Sequence, residues 1–181
     1  MKNAFRATGW LASGLFLILL FAPLGCKGRR VRTQQTDEEA PRMASTVHLG
    51  DPRMGAQLVS GFYGVEGAAW RWTARRFTAV LRPPAGAAQK GATLTVKLTV
   101  PAVVIEKEKD VTLSASIGGT ALAPETYAKP GDYTFKRDVP AAALTGDTVR
   151  LEFELDKAMP PSGADQRDLG VVALSAGIEP K

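Results

Sequence analysis

Hydrophobic and polar residues alternate with a period of two along several short stretches of the second half of the chain. The clearest stretch is 93–100, TLTVKLTV, and the stretches 111–117, 147–156 and 172–178 repeat its pattern. This period is that of a half-buried β-strand. The residues predicted to face inward are Leu94, Val96, Leu98, Val100, Val111, Leu113, Ala115, Ile117, Val149, Leu151, Phe153, Leu155, Val172, Leu174, Ala176 and Ile178.

Glycine and proline clusters separate these stretches. They lie at 82–91, 117–124, 128–132 and 159–163, and their composition is typical of turns. No window has a convincing 3.6-residue period, and the charged run EKEKD at 106–110 is interpreted as the tip of a hairpin. Several short strands without intervening helices predict an all-β fold, an antiparallel β-sandwich with a jelly-roll-like arrangement.

The N-terminus has a different pattern. Residues 1–9 contain Lys2 and Arg6 but no acid, and residues 10–22 are thirteen positions without a charge. A helix that spans a bilayer needs about 20 apolar residues, whereas a shorter apolar run after basic residues is typical of a signal peptide. We therefore expect an exported protein whose signal peptide comprises residues 1–25.

The sole cysteine of the chain, Cys26, directly follows the small residue Gly25. This arrangement resembles the lipobox of bacterial lipoprotein precursors. The resemblance implies that the Cys26 thiol carries a diacylglyceryl group, that cleavage occurs before it, and that the lipid anchors the protein to a membrane. Lys27 after the cysteine implies delivery to the outer membrane, facing the periplasm, in the cell envelope. Cleavage elsewhere with loss of Cys26, or an uncleaved N-terminal anchor, are the alternatives.

Residues 26–44 contain few apolar side chains and no strand or helix period, which predicts a disordered tether before a domain at 45–181. Basic residues crowd the start of this tether, and three acids follow at 37–39. The basic residues either attract an anionic membrane surface or simply keep a linker solvated. Because the tether holds much of the formal net charge of +5, the domain is close to neutral. A near-neutral domain lacks the clustered basic charge that is typical of nucleic-acid-binding proteins.

Aromatic residues are concentrated at the start of the domain. Trp70 and Trp72 are two residues apart, so on a strand they share one face while Arg71 lies on the other. Together with Phe62 and Tyr63 they are candidate ligand-binding residues, because an indole ring matches the flat apolar face of a sugar. The alternative is that both tryptophans are core residues that bury large areas.

A second unusual segment precedes the last predicted strand. In SGADQRDLGVVAL, residues 162–174, the charged residues Asp165, Arg167 and Asp168 crowd one turn. They could form a polar ligand site. The interpretation we favour is structural: Arg167 fastens the turn by charge-assisted hydrogen bonds to carboxylates or carbonyls.

The two segments together resemble a loosely defined β-sandwich domain found beside glycosyltransferase or carbohydrate-processing domains. That domain opens with a Gly-aromatic-Tyr…Glu…Arg-Trp-Thr signature and closes with Asp-x-Arg-x-Leu-Gly-Val. The resemblance spans about residues 55–181 and implies a carbohydrate-binding-like sandwich. The matching residues are Gly61, Phe62, Tyr63, Glu66, Arg71, Trp72, Thr73, Asp165, Arg167, Leu169, Gly170 and Val171.

The same motif residues also support a hypothesis about the fold. Arg71 or Arg167 could pair with Glu66 or Asp165 and so hold the first and last strands of the domain side by side.

Residues for catalysis are scarce. His48 is the only histidine, and it has no second histidine or cysteine beside it for a metal or a proton relay. Glu152, Glu154 and Asp156 lie on one strand face, but alternation with apolar residues makes that face a solvated one. We expect no enzyme, no metal and no cofactor.

The sequence therefore predicts a non-catalytic envelope lipoprotein whose sandwich binds a glycan or cell-wall polymer. The alternative is a protein–protein or structural lipoprotein that scaffolds an envelope complex. Exposure of the aromatic rings distinguishes the two, since an aromatic platform with polar groups at its rim favours a sugar. Buried rings with an apolar patch elsewhere favour a protein partner.

Overall fold

A computed structural model describes residues 43–181, and within this part of the chain the fold is an antiparallel β-sandwich. The all-β prediction is confirmed. The signal peptide, Cys26 and nearly all of the predicted tether lie outside the described residues. The strands are β1 Thr46–His48, β2 Leu58–Glu66, β3 Trp70–Leu81, β4 Ala92–Val100, β5 Val111–Ile117, β6 Thr120–Tyr127, β7 Gly131–Val139, β8 Val149–Leu155 and β9 Val172–Pro180.

Four short helical segments connect some of these strands. They are the α-helices α1 Ala87–Lys90 and α2 Ala102–Glu108 and the 3₁₀ segments Pro52–Gln57 and Ala141–Leu144. None of the helices described between residues 43 and 181 has the length and apolar character needed to cross a membrane.

The strands form two layers that share β3. One layer has the order β6-β5-β8-β3 with β2 on the far edge of β3, and the other has the order β9-β4-β7 with β1 on the edge of β9. The second half of β3 pairs with β8, whereas its first residues, Arg71 and Trp72, pair with β9. Most neighbours are not consecutive in the chain, which is the long-range connectivity of jelly-roll-like sandwiches.

The core lies between the two layers, and the predicted alternation is observed in three of the four strands. In β4, β5 and β8 every residue predicted to face inward is buried. Burial of branched and aromatic side chains on one face is what stabilises a strand of this composition. Tyr127, Phe77 and Phe135 are the largest side chains of the core.

The prediction for the last strand is wrong at Leu174 and at Val172, which lies opposite the outward-facing Thr99. The register of β9 against β4 shifts there, because Lys97 is opposite Ser175 while Leu98 is opposite Ala173. The extra residue of this β-bulge reverses the alternation. Leu174 is therefore only half-buried and lies on the outer side, whereas Ala173 joins the core.

The prediction of a hairpin tip at 106–110 is also wrong. Residues 102–108 form helix α2, which begins after Pro101 and buries Val104 completely. Its last turn ends at Lys109, which adopts a left-handed φ of 72°. An apolar run of four residues is too short to reveal a helical period.

The aromatic segment of the sequence forms the β2–β3 hairpin. Its turn contains Gly67 and Ala68, both at positive φ, and the Ala69 amide donates to the Glu66 carbonyl at 3.2 Å. Three register shifts along β2 bring the two backbones unusually close at Gly61. A Cβ there would lie 2.0 Å from the carbonyl oxygen of Arg76, so only glycine fits.

Candidate functional site

Trp70 and Trp72 share one face of β3, and both rings are half-buried. Their ring centroids are 6.5 Å apart at an interplanar angle of 79°, an edge-to-face pair. Trp72 is opposite Val172, which is in turn opposite Thr99, and residues directly opposite one another share a face of a sheet. Since Thr99 alternates with buried residues of β4, this face is the outer one.

The other two candidate aromatic residues are placed differently. Phe62 is opposite Thr73 and packs edge-to-face on the buried ring of Phe77, with centroids 5.4 Å apart. It contributes to the core side of the hairpin. The Tyr63 hydroxyl donates to the Asp168 carboxylate, and burial followed by this hydrogen bond raises the pKa of Tyr63 to about 12. The hydrogen bond fixes the Tyr63 ring in place, so the four candidate rings do not form one platform.

Arg167 joins the two ends of the domain. Its guanidinium donates to both oxygens of Asp165 at 2.8 and 2.9 Å and to the Glu66 carboxylate at 2.9 Å, and it lies 5.2 Å above the ring of Tyr63. The side-chain hydrogen bonds from Arg167 hold the pKa of the Asp165 carboxyl at about 2. This geometry matches the structural interpretation of the turn, since the donors of Arg167 point at the protein itself.

Arg71 contacts no carboxylate among residues 43–181. Its guanidinium donates to the carbonyl oxygens of Leu49 and Tyr63, each at 2.9 Å. It therefore ties β2 and the segment after β1 to β3 through backbone groups. Of the two arginines in the sequence motif, only Arg167 makes a carboxylate bridge.

Gly170 lies where the closing segment crosses β3. Its amide donates to the Thr73 carbonyl at 2.8 Å, and the Thr73 amide donates to the Val171 carbonyl at the same distance. The Thr73 hydroxyl also donates to that carbonyl at 3.1 Å and accepts from the Val171 amide at 3.2 Å. The opening and closing motifs thus interlock through their backbones.

The outer face that carries the tryptophans also has two adjoining depressions. One, of about 500 Å³, lies between the end of β1, the β2–β3 turn and β9. The other, of about 320 Å³, extends across β4 to β7. Both are lined by Lys97 and Leu174, so they adjoin at these residues, and the two depressions together are here called the Lys97 groove. Its further polar lining is His48, Asp51, Ser175, Asp132, Tyr133 and Thr134.

The strand register places this groove in the row of residues next to Trp72. Trp72, Val172, Thr99 and Asp132 form one row across β3, β9, β4 and β7. The neighbouring row across β1, β9, β4 and β7 is His48, Ser175, Lys97 and Thr134. We call the two rows together with Trp70 the tryptophan face. It combines indole rings with hydroxyl, ammonium and imidazole groups.

The outer face of the other layer carries a depression of about 390 Å³. Its polar groups satisfy one another: Arg76 donates to Glu154 at 2.8 Å, and Glu152 accepts from Arg150 at 3.0 Å and from Ser116 at 3.3 Å. The hydrogen bond from Arg76 lowers the pKa of Glu154. These carboxylates form a solvated, mutually paired surface.

Clusters of metal-ligating side chains are absent from the part of the chain that the structure describes. No three His, Cys, Asp or Glu residues between positions 43 and 181 converge on one point. The expectation that the chain is not an enzyme remains a prediction.

Comparison with known proteins yields remote similarities of fold. No protein-family model matches the chain, and no curated protein matches it. A CBM36 domain of a multidomain xylanase from the hindgut metagenome of Trinervitermes trinervoides is 14% identical, with a TM-score of 0.33 over 56% of this chain and 69% of that one. A CBM4 structure is 15% identical, with a TM-score of 0.34 over 75% and 85%.

A third similar structure belongs to a much longer protein. The 4-O-methyl-α-glucuronidase BtGH115A, of family GH115, is 10% identical with a TM-score of 0.45. The match covers 77% of this chain but 18% of the glucuronidase. The similar solved structures thus include carbohydrate-binding module domains. Because every one of these TM-scores is below 0.5, assignment of a function depends on the chemistry of the surface.

Proposed function

We propose that this protein is a non-catalytic, lipid-anchored lipoprotein of the cell envelope whose β-sandwich binds a glycan on the tryptophan face. The observation that carries the proposal is that two half-buried indoles lie on the same sheet face as the Lys97 groove, in and beside the neighbouring row of residues. Neither feature alone is specific, but their combination on one face meets both requirements of sugar recognition.

The first requirement is an apolar surface for the C–H face of a sugar ring. Trp72 is anchored beside the core, and Trp70 packs edge-to-face against it, so both indoles are held in defined orientations. Rigid rings lose little conformational entropy when a ligand covers them. Leu174, turned outward by the β-bulge, extends the apolar surface into the groove.

The second requirement is a set of hydrogen-bonding groups at the rim. His48, Lys97 and Thr134 are exposed along one row of the face, and Ser175 lies between His48 and Lys97. Sugar hydroxyls both donate and accept, and this row offers partners of both kinds. Two adjoining open depressions would accept a polymer chain rather than a single enclosed sugar.

Attachment through Cys26 would hold this face close to the cell-wall polymers of the envelope. Two or more acyl chains anchor a protein stably to a membrane, at about 0.8 kcal/mol for each buried methylene. Metabolic labelling with a radioactive or alkyne-bearing fatty acid tests the anchor directly. Label should appear in the parent chain and be lost in Cys26→Ser, and labelling of the variant would refute lipidation at this residue.

Glycan binding is tested with the purified chain against a panel of soluble polysaccharides and peptidoglycan fragments by calorimetry. Trp72→Ala should weaken binding by about tenfold or more, because stacked aromatic residues dominate such contacts. Val59→Ala is the matched control, since Val59 is an exposed apolar residue of β2 with 48% of its surface accessible. Unchanged melting temperatures would show that the variants remain folded.

The outcome of this panel decides between a glycan and a protein partner. Saturable binding that Trp72→Ala weakens and Val59→Ala does not would support the proposal. Absence of binding to every polysaccharide by the folded protein would refute it and favour an envelope protein as partner. Within the part of the chain that the structure describes, the exposed large apolar residues Val59 and Val103 lie on different elements, β2 and α2, and so form no single apolar patch.

A further inference from the structure

Lys97 lies at the centre of the Lys97 groove. Its side chain is exposed at the point where the two depressions of the Lys97 groove adjoin. Within residues 43–181 no carboxylate lies within 4 Å of its ammonium group and no hydrogen bond involves its side chain. Lys97 therefore places at the centre of the groove a positive charge that has no salt-bridge partner among the residues described.

Each of the two aspartates of the groove accepts hydrogen bonds from a residue other than Lys97. Asp51 accepts from the backbone and the guanidinium of Arg53 at 2.7 to 3.2 Å. Asp132 accepts from the Thr99 hydroxyl at 2.5 Å. On the opposite layer each carboxylate of the depression has an arginine beside it, whereas Lys97 has no carboxylate beside it among residues 43–181.

Leu174 makes the site amphipathic. In an unbroken strand it would alternate into the core, but the bulge opposite Lys97 and Leu98 places it in the groove lining beside the ammonium group. Bulges of this kind redirect a side chain at a functional surface. A charged group next to an apolar side chain suits a ligand that carries an anion on a ring with an apolar face.

We propose that the tryptophan face is selective for an acidic glycan, a sugar polymer whose rings carry carboxylate groups, and that Lys97 is the residue that reads the carboxylate. This inference rests on the proposed glycan binding and specifies its ligand class. The Lys97 ammonium donates to a sugar carboxylate while the adjacent hydroxyls and indoles hold the ring. Hydrogen bonds with a charged partner contribute more to affinity than neutral ones.

The test uses two pairs of polymers that differ only in charge. Polygalacturonate and alginate are compared with their carboxyl-reduced forms, in which each carboxylate becomes a hydroxymethyl group, and binding to the full chain is measured by calorimetry. The acidic forms should bind about tenfold tighter, equivalent to about 1.4 kcal/mol. The difference should shrink as salt is raised from low to physiological concentration, because exposed charges are screened.

Substitutions assign this selectivity to one residue. Lys97→Met should remove most of the preference and leave binding of the reduced polymers within about twofold, whereas Lys97→Arg should retain the preference because it keeps the charge. Lys136→Met is the matched control. Lys136 is exposed on the same sheet face, opposite Thr95, but lines neither depression. The basic residues at 27–32 contribute equally to every variant.

Each result supports or overturns the inference. If acidic and reduced polymers bind equally and Trp72→Ala weakens the binding of both, the selectivity for acidic glycans is overturned. The proposed glycan binding is then still supported. Equal effects of Lys97→Met and Lys136→Met would also overturn the inference, since the preference would then reflect overall charge. Inorganic polyphosphate that binds as tightly and competes equally would overturn the assignment to carboxylate. No binding to any of these polymers would refute the inference and would count against the proposed function as well.

Discussion

Replacing Gly170 by alanine adds a single methyl group at the crossing of the closing segment and β3, where the structure has no room for it. A Cβ at this position would lie 2.4 Å from Cδ1 of Leu155, 2.9 Å from Oγ1 of Thr73 and 3.1 Å from the carbonyl oxygen of Ala74. All three distances are shorter than ordinary van der Waals contact. The backbone of Gly170 has no positive φ, so the penalty of the substitution is entirely steric.

None of the three neighbours can move easily. Leu155 has no exposed surface, so its side chain is enclosed by the core. The Thr73 hydroxyl is held by two hydrogen bonds to Val171, and the third contact is backbone. Overpacking of this kind costs about 1–3 kcal/mol. For a domain of about 140 residues, 1 kcal/mol corresponds to roughly 4 °C, so the melting temperature should fall by about 4–12 °C.

Thermal unfolding followed by circular dichroism measures the effect, with Gly64→Ala as the matched control. Gly64 is also a strand glycine at an ordinary φ, but a Cβ there would meet nothing within 4 Å. Its substitution should leave the melting temperature unchanged or raise it, because alanine restricts the unfolded chain. If Gly170→Ala were as stable as Gly64→Ala, the interlock inferred between Thr73 and the closing segment would not constrain the native state.

Three further substitutions test the hairpin and the arginine bridge. Gly61→Ala should prevent folding at 37 °C, because residue 61 has a left-handed backbone conformation and its new Cβ would lie 2.0 Å from the Arg76 carbonyl oxygen. A soluble variant that unfolds in one cooperative transition would contradict this. Arg167→Met should lower the melting temperature at low salt, and by less in 1 M NaCl, because salt screens the ion pairs that Arg167 makes in the unsubstituted protein. An equal loss at both salt concentrations would show that Arg167 stabilises the domain by packing rather than by charge. Asp165→Asn tests the pH dependence. The folded-state pKa of Asp165 lies near 2, below its ordinary value of 3.8, so its stabilisation is present above about pH 4 and lost as pH falls through 2. The difference in melting temperature between parent and variant should therefore shrink across that range, and a constant difference would contradict the assignment.

The core strands could be predicted from the sequence because their burial follows a strict period of two. In β4, β5 and β8 the inward residues are determined locally, by alternation alone. The alternation fails at Leu174 because a bulge depends on the register of two strands that are far apart in sequence. It fails at helix α2 because one buried residue, Val104, anchors a segment that is too short to display a helical period.

One part of the candidate site could be predicted from the sequence and another part could not. The shared face of Trp70 and Trp72 is a local consequence of strand geometry, and the sequence was sufficient to predict it. The Lys97 groove was not predictable, because its lining comes from β1, β4, β7 and β9, whose adjacency arises only from the long-range order of the sheet. A single signal was available beforehand: Lys97 interrupts the threonines on the outer face of β4.

The geometry shows that most residues of the sequence motif stabilise the fold. Gly61 and Gly170 permit close backbone approaches, Arg71 binds two carbonyls, and Arg167 binds two carboxylates of its own chain. Each of these residues contacts groups of the protein itself. Of the motif residues only Trp72 belongs to the tryptophan face, whose polar groups come from β1, β4, β7 and β9. The motif therefore accounts for how the first and last segments of the domain interlock, and most of the candidate ligand contacts lie outside it.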